Sequence, residues 1–316
     1  MVKFTIFVVL LLILPLASIA DLTVGFYGTS CPKAEAIVRQ VVQKRFNGDK
    51  SITGGLLRMH FHDCFVHGCD ASILIDSKKG NQSEKDAGAN GTVRGFEIID
   101  EAKKALEKAC PSTVSCADII TLATRDAVDL AGGPKYSVPT GRRDGLVSNP
   151  SDVNLPGPGS TVSQALRIFT SKGMFLNEMV TLLGAHTVGF AHCSFFRNRL
   201  GGADTTMDPT LDSNLVKLCG TQSKPSKKDL RTFLDQNTSM VFDNQFYKQI
   251  LNKQGVLFID QQLALDSSSK GLVSSFAANP ASFQQSFVNA IVKMGSIDVK
   301  VGNDGEIRRN CRVFNR

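Results

Sequence analysis

The chain is defined first by what it lacks. Beyond its first twenty residues it has no second long apolar run, so the remainder offers no segment of the ~20 residues a membrane span needs. Basic residues outnumber acidic ones, 36 to 29, for a net charge of +7, but they are spread along the chain. That spacing argues against nucleic acid as a partner and leaves weak adhesion to an acidic matrix, or plain solubility, as uses for the charge. No internal repeat or low-complexity tract is visible, which excludes a solenoid. Strand signal is thin. Its best case is Val299 to Arg308, where Gly302-Asn303-Asp304-Gly305 is expected to turn a small hairpin. No endoplasmic-reticulum retention tetrapeptide ends the sequence, so export is the expected default.

What is present begins with Lys3, an apolar run from Phe4 to Leu16 containing Pro15, and small residues at Ser18 and Ala20. The pattern reads as a cleaved signal peptide over 1–20, with Asp21 starting a secreted chain that has no membrane segment. A membrane anchor is the weaker reading, because the run is short. Eight cysteines entering an oxidising compartment read as four disulfides, among about 105 possible pairings.

Most segments carry helical periodicity. Ile37, Val38, Val41, Val42 and Phe46 recur at spacings of three and four. Ile98, Ile99, Ala102, Ala105, Leu106 and Ala109 mark a second amphipathic helix, and Ser115 is placed to cap a third that stops at Gly132-Gly133. Further helices are expected near 161–171, 177–185, 244–253 and 281–294. Between Gly132 and Gly159, eleven of 28 residues are Gly or Pro, so no long helix survives there. The pattern predicts a mainly α protein of two helical lobes with a cleft between them.

The densest chemistry lies in Gly54-Gly55-Leu56-Leu57-Arg58-Met59-His60-Phe61-His62-Asp63-Cys64-Phe65. In a helix Arg58 and His62 share one face, while His60 points nearly opposite. A permanent cation beside an imidazole keeps it neutral and able to act as a base. The same cation can stabilise charge on a departing oxygen. Peroxide cleavage needs such a pair, although an ordinary helix face shows the same spacing. His60 and His67 read as structural or solvent-facing. Downstream, Asp63, Asp70 and Ser72 flank a turn that Gly68 permits and that a Cys64–Cys69 bond would pin. Oxygen ligands at this spacing suit calcium. Zinc held by His60, His62, His67, Cys64 and Cys69 is the competitor. It is disfavoured by compartment, since the thiols should be oxidised, and by the divergent histidines. His186 ends the apolar run from Met179 to Ala185 beside Gly184, where a flat macrocycle has room to approach. A lone histidine in such a place is usually a satisfied core residue.

Segment 54–74 resembles the signature of the secretory plant haem peroxidases, called class III. Leu182-Leu183-Gly184-Ala185-His186-Thr187-Val188-Gly189 resembles their proximal ligand motif. Ser115-Cys116-Ala117-Asp118-Ile119, Gly141-Arg142-Arg143-Asp144, Phe242-Asp243-Asn244 and Ile307-Arg308-Arg309-Asn310-Cys311-Arg312 match as well, so the likeness covers essentially the whole mature chain. It implies one haem-peroxidase domain over 21–316, with two helical lobes sandwiching a single haem b and a minor β-hairpin. The activity implied is reduction of hydrogen peroxide with one-electron oxidation of phenolic or other small donors.

Residue by residue, the resemblance implies that His62 is the distal acid–base and Arg58 the distal cation. Phe61 shields the iron's distal face, and Asn90 accepts the other ring N–H of His62. His186 becomes the iron ligand, with Asp260 accepting its second ring N–H. Two structural calcium ions are implied. The distal one takes Asp63, Val66, Gly68, Asp70 and Ser72, with Glu84 through water. The proximal one takes Thr187, Asp235, Thr238, Val241 and Asp243. The implied disulfides are Cys31–Cys110, Cys64–Cys69, Cys116–Cys311 and Cys193–Cys219. Pro139 resembles the residue lining donor access, with Phe195 as a possible flank. The implied setting is the cell wall, with acidic polysaccharide as a neighbour and a monomeric enzyme.

The chain departs from the family pattern in places. Tyr136 stands where tryptophan is usual, Ala89 replaces a proline before Asn90, and Gly88 offers no aromatic near the haem edge. Donor preference therefore stays open. Of the sequons at Asn81, Asn90 and Asn237, Asn81 is the better glycan acceptor. Two alternatives remain at this point: a silent, calcium-bound wall protein without haem, and a metal hydrolase built on His60, His62 and His67.

Overall fold

The computed structural model describes residues 22–315. The expected signal peptide, 1–20, lies outside them. Among the described residues eleven α-helices run in chain order: α1 (Ala34–Gly48), α2 (Ile52–Cys64), α3 (Phe96–Ala109), α4 (Cys116–Leu130), α5 (Val162–Ser171), α6 (Leu176–Leu183), α7 (Pro209–Cys219), α8 (Gln245–Leu251), α9 (Phe258–Leu265), α10 (Lys270–Ala278) and α11 (Pro280–Met294). Among the described residues no helix is long and apolar enough to cross a membrane.

The N-terminal half is built on α4, which packs against α1, α2 and α3. Ser115 begins α4 by accepting the Asp118 backbone N–H at 3.1 Å, and twelve of its residues are buried. In the C-terminal half, α6 lies on α11, while α8 packs against α9 and α10. Helix α5 opens on a capping box between Thr161 and Gln164.

The β content is small and sits away from the expected hairpin. Strand β1 (Thr23–Val24) pairs antiparallel with β2 (Pro139–Thr140), and β3 (Phe190–His192) pairs with β4 (Arg231–Phe233). Within 299–308 the turn forms, but its arms bridge Arg143 and Asp144 instead of each other. That is a correction, with a clear cause. The charged groups of Arg142 and Asp144 are buried and need partners. Arg142 donates to Asp118 at 2.7 Å and to the Gly295 carbonyl, while Asp144 accepts from the Ala117 and Arg308 backbones. Three of the sequence motifs thus meet in one buried polar knot.

Disulfides join Cys31 to Cys110, Cys64 to Cys69, Cys116 to Cys311 and Cys193 to Cys219, and no free cysteine remains among the described residues. Cys116–Cys311 spans 195 residues beside the polar knot. Closing a loop of that length removes unfolded-chain entropy worth about 5 kcal/mol. The two halves touch where α2 begins. A side chain on Gly54 would come within 2.9 Å of the Gly189 Cα, so glycine is required there for the backbones to approach. A cleft opens beside that contact.

Candidate active site

The cleft holds about 260 Å³ and is lined mainly by apolar side chains. Helix α2 contributes Leu57, Arg58, Phe61 and His62. The segment after α6 contributes Ala185, His186 and Val188, α11 contributes Phe287, Ile291 and Met294, and the 155–158 loop closes one side. His62 therefore enters from the N-terminal half, and His186 and His192 from the C-terminal half.

On the α2 side, Arg58 and His62 project together, as their four-residue spacing requires. The Asn90 amide orients the imidazole. Its Nδ2 donates to the Glu84 carbonyl at 2.7 Å, so its Oδ1 must be the acceptor from His62 Nδ1, at 2.6 Å. That fixes the proton on Nδ1 and leaves the Nε2 lone pair toward Arg58 Nε, 3.2 Å away. Arg58 is itself held by Thr92 Oγ1 at 2.7 Å and the Ala89 carbonyl at 2.8 Å. Burial, and then the Arg58 cation, push the His62 pKa down to about 3 against the opposing bond to Asn90. Burial also lowers Arg58 to about 10. At neutral pH the site holds a neutral base beside a cation. The sequence pointed to the cation as the cause of this; in the structure burial contributes more. Phe61 lies over the same region, its ring 4.2 Å from that of Phe65 and 5.9 Å from His62.

On the other side, His186 Nδ1 donates to Asp260 Oδ1 at 2.8 Å. Asp260 is buried in the first turn of α9, a helix that sequence periodicity did not reveal. Among the described residues nothing hydrogen-bonds His186 Nε2, which leaves it available to a metal. Gly184, expected to give a macrocycle room, does something else. A Cβ there would strike the Tyr247 hydroxyl and the Phe283 ring, so the missing side chain admits the core and not the cleft.

Each imidazole adjoins an oxygen cluster. Next to His62, Asp63 Oδ1, Ser72 Oγ and both Glu84 carboxylate oxygens are buried without hydrogen-bond partners. Burial, then Asp70, raise the Asp63 carboxyl well above the usual range, with Glu84 adding to the effect. Burial raises Glu84 to about 8. Buried acidic oxygens left unpaired are what a hard cation would satisfy. Asp70 is partly engaged, since Lys300 Nζ lies 2.8 Å from its Oδ2. The Val66 carbonyl accepts from Lys172 at 2.9 Å, and Gly68 passes the turn at φ 88° against Asp298. Next to His186, Thr187 Oγ1 donates to Asp243 at 3.0 Å and reaches Asp235 at 3.2 Å, while Thr238 Oγ1 donates to Asp235 at 3.0 Å. Val241 donates its backbone N–H to the Thr238 carbonyl. The donor set is all oxygen here too.

Pro139 does not reach the cleft. It lies in β2 opposite Val24 and gives its carbonyl to Arg142, whereas Pro156 and Pro158 line the opening. A strand residue tied into the polar knot has no path to the cleft wall, and nothing local in the sequence distinguishes one proline from another. Phe195 does line it, 5.9 Å from the Arg58 guanidinium. Sequence reasoning also missed Thr92, Arg94, Phe190 and His192, all at the cleft.

The zinc reading fails on geometry. The one close three-ligand group among the described residues is His60, Cys64 and Cys69, and its two sulfurs are bonded to each other. His60 faces Thr121, His62 faces Asn90, and His67 pairs with Asp152 at 2.8 Å.

Comparison with known proteins gives the family. A peroxidase family model matches residues 38–279. Peroxidase 44 of Arabidopsis thaliana is 57% identical over 95% of this chain and 94% of its own length. Peroxidase 57 of the same plant is 54% identical over 99% and 98%. Peroxidase 5 of Vitis vinifera is 46% identical over 94% and 92%. The chain belongs to the peroxidase family, in its plant class III branch, whose members are haem enzymes.

Proposed function

We propose that this peroxidase reduces hydrogen peroxide at one haem b held between His62 and His186, and oxidises small phenolic donors at the cleft opening. The observation that carries the reading is an apolar cleft with two oppositely prepared imidazoles in its lining. His186 Nε2 would hold the iron, with Asp260 drawing on its Nδ1 proton and making the ring a stronger donor. When bound, the haem supplies the two-electron reduction of peroxide and returns the oxidising equivalents one at a time. His62 Nε2 takes the proton from one peroxide oxygen and returns it to the other. Arg58 stabilises the charge that grows on the departing oxygen. Phe61 keeps bulky donors away from that oxygen, so donors meet the cofactor near Pro156, Pro158 and Phe195.

Two calcium ions complete the reading as structural supports. Asp63, Val66, Gly68, Asp70 and Ser72 would hold one, with Glu84 through water, and Thr187, Asp235, Thr238, Val241 and Asp243 the other. The signal-like N-terminus, the four disulfides and the family support export to the cell wall as a monomer of 21–316. Asn81, exposed where Asn90 is buried, is the glycan acceptor. The excess positive charge suits an acidic wall polysaccharide. An absorption spectrum tests the core of this. A Soret band that changes on adding one equivalent of peroxide is expected. A chain that folds, binds calcium and shows no Soret band would be the silent wall protein instead.

A further inference from the structure

Haem b is flat and apolar except at one edge, where it carries two propionate carboxylates. A cleft that takes it must therefore offer cations along one side, and this cleft does. Arg58, deep inside, is already committed to Thr92, Ala89 and His62. Two further guanidiniums, those of Arg94 and Arg231, gather around Phe190, which lines the cleft together with Arg94 and His192. The Arg94 guanidinium lies 4.8 Å from the Phe190 ring centre and that of Arg231 lies 4.0 Å from it. In the β3–β4 ladder His192 stands directly opposite Arg231, and Phe190 is two residues from His192. All three side chains therefore project from the same face.

We propose that Arg94, Arg231 and His192 form a carboxylate-binding rim that takes the two propionates of the haem and so sets which way round the macrocycle sits. The proposal rests on the haem reading above. Two guanidiniums against one ring repel each other unless an anion lies between or beside them. The anions already present answer only part of that charge. Asp49 is 3.5 Å from Arg94, which also donates to Ser51, and Asp229 is 3.7 Å from His192 while serving Ser194 and Arg197. Among the described residues Arg231 forms no ion pair. A lone surface arginine over an aromatic is common and worth only about 0.5–1 kcal/mol. A second arginine on the same ring, and a histidine opposite Arg231 that lines the slot, are not explained by that contact. A carboxylate could also come from a donor, and the two sources separate experimentally.

The test uses the intact holoenzyme and measures haem transfer to excess apomyoglobin. Arg231→Leu and His192→Leu should each release haem about tenfold faster, the loss of one charged hydrogen bond, and Arg231→Lys should stay near the native rate. KM should be followed in parallel for ferulate and for coniferyl alcohol, which lacks the carboxylate, and their ratio should not move. Unchanged release rates overturn the rim. Unchanged release with KM raised for ferulate alone overturns the propionate assignment, because the rim would then serve the donor. A native protein without a Soret band would fail earlier, at the haem reading itself.

Discussion

His62 and His186 are the same residue placed under opposite instructions. His62 is 7% exposed and bonded to a neutral amide, with a guanidinium 3.2 Å away. The His186 side chain is 30% exposed and bonded to a buried carboxylate. An amide accepts a proton's hydrogen bond without paying for the imidazolium, and the nearby cation penalises it, so His62 stays neutral and its proton traffic stays reversible. A carboxylate lends electron density to the ring instead, which suits a ligand that must hold a metal and push charge toward it. One choice of partner, Asn or Asp, separates a base from a ligand.

Removing the base entirely breaks the comparison most severely. His62→Ala should retain the Soret band and lose on the order of a thousandfold in the peroxide step. Stopped-flow mixing with peroxide would read this, and an unchanged rate would sink the assignment. Giving the distal histidine the proximal partner is the sharper test. In Asn90→Asp the carboxylate favours the imidazolium, so the His62 pKa, held down to about 3 in the native chain, should climb toward the ordinary histidine value. Protonated imidazole is no base. The peroxide step should therefore fall by about tenfold or more at pH 5 and recover at pH 8. The reverse exchange, Asp260→Asn, should leave that profile alone. It should weaken retention of the iron by roughly tenfold and raise the reduction potential, since the ligand donates less. Reductive titration of the haem and its rate of loss measure both.

How far the sequence reached follows from where each signal was local. Arg58 and His62 lie four apart on one helix, so their partnership was legible, and so was the Ser115 cap on α4. The oxygen clusters were legible beside their histidines, because Asp63 and Thr187 are immediate neighbours of His62 and His186. Asp260 was not legible as a helical residue. Helix α9 carries Asp260, Gln261 and Gln262 in succession, the first two buried by the fold, and only Ile259 and Leu263 are apolar markers of its buried side. Helix α10 runs through Ser- and Gly-rich sequence and forms because α8, α9 and α11 pack on it. The turn at 302–305 was legible, but its partners lie some 160 residues away. Which proline reaches the cleft is likewise a long-range fact, and Pro139 and Pro156 look equally suitable until the chain is folded.

The oxygen clusters repeat the contrast at lower stakes. Around His186 the carboxylates are satisfied from within: Asp235 accepts from Asn237, Thr238 and Gln249, and Asp243 accepts from Thr187 and Gln245. Around His62 the Glu84 carboxylate has no partner, and its pKa stands at about 8 against an ordinary 4.5. A folded-state pKa raised above the unfolded one means that the folded chain binds the extra proton between those values. The stability so gained is full below about pH 4.5 and is lost as pH rises through about 8. Calcium-stripped protein should therefore melt several degrees lower at pH 8 than at pH 5, a difference that added calcium should shrink by satisfying the cluster in its ionised form. Glu84→Gln, which cannot titrate, should shrink the dependence in stripped protein and leave the part that the raised Asp63 carboxyl carries. Thermal melts in chelator across that range measure it. If the stripped native protein melts at one temperature throughout, Glu84 is not the group that makes the distal cluster depend on a cation.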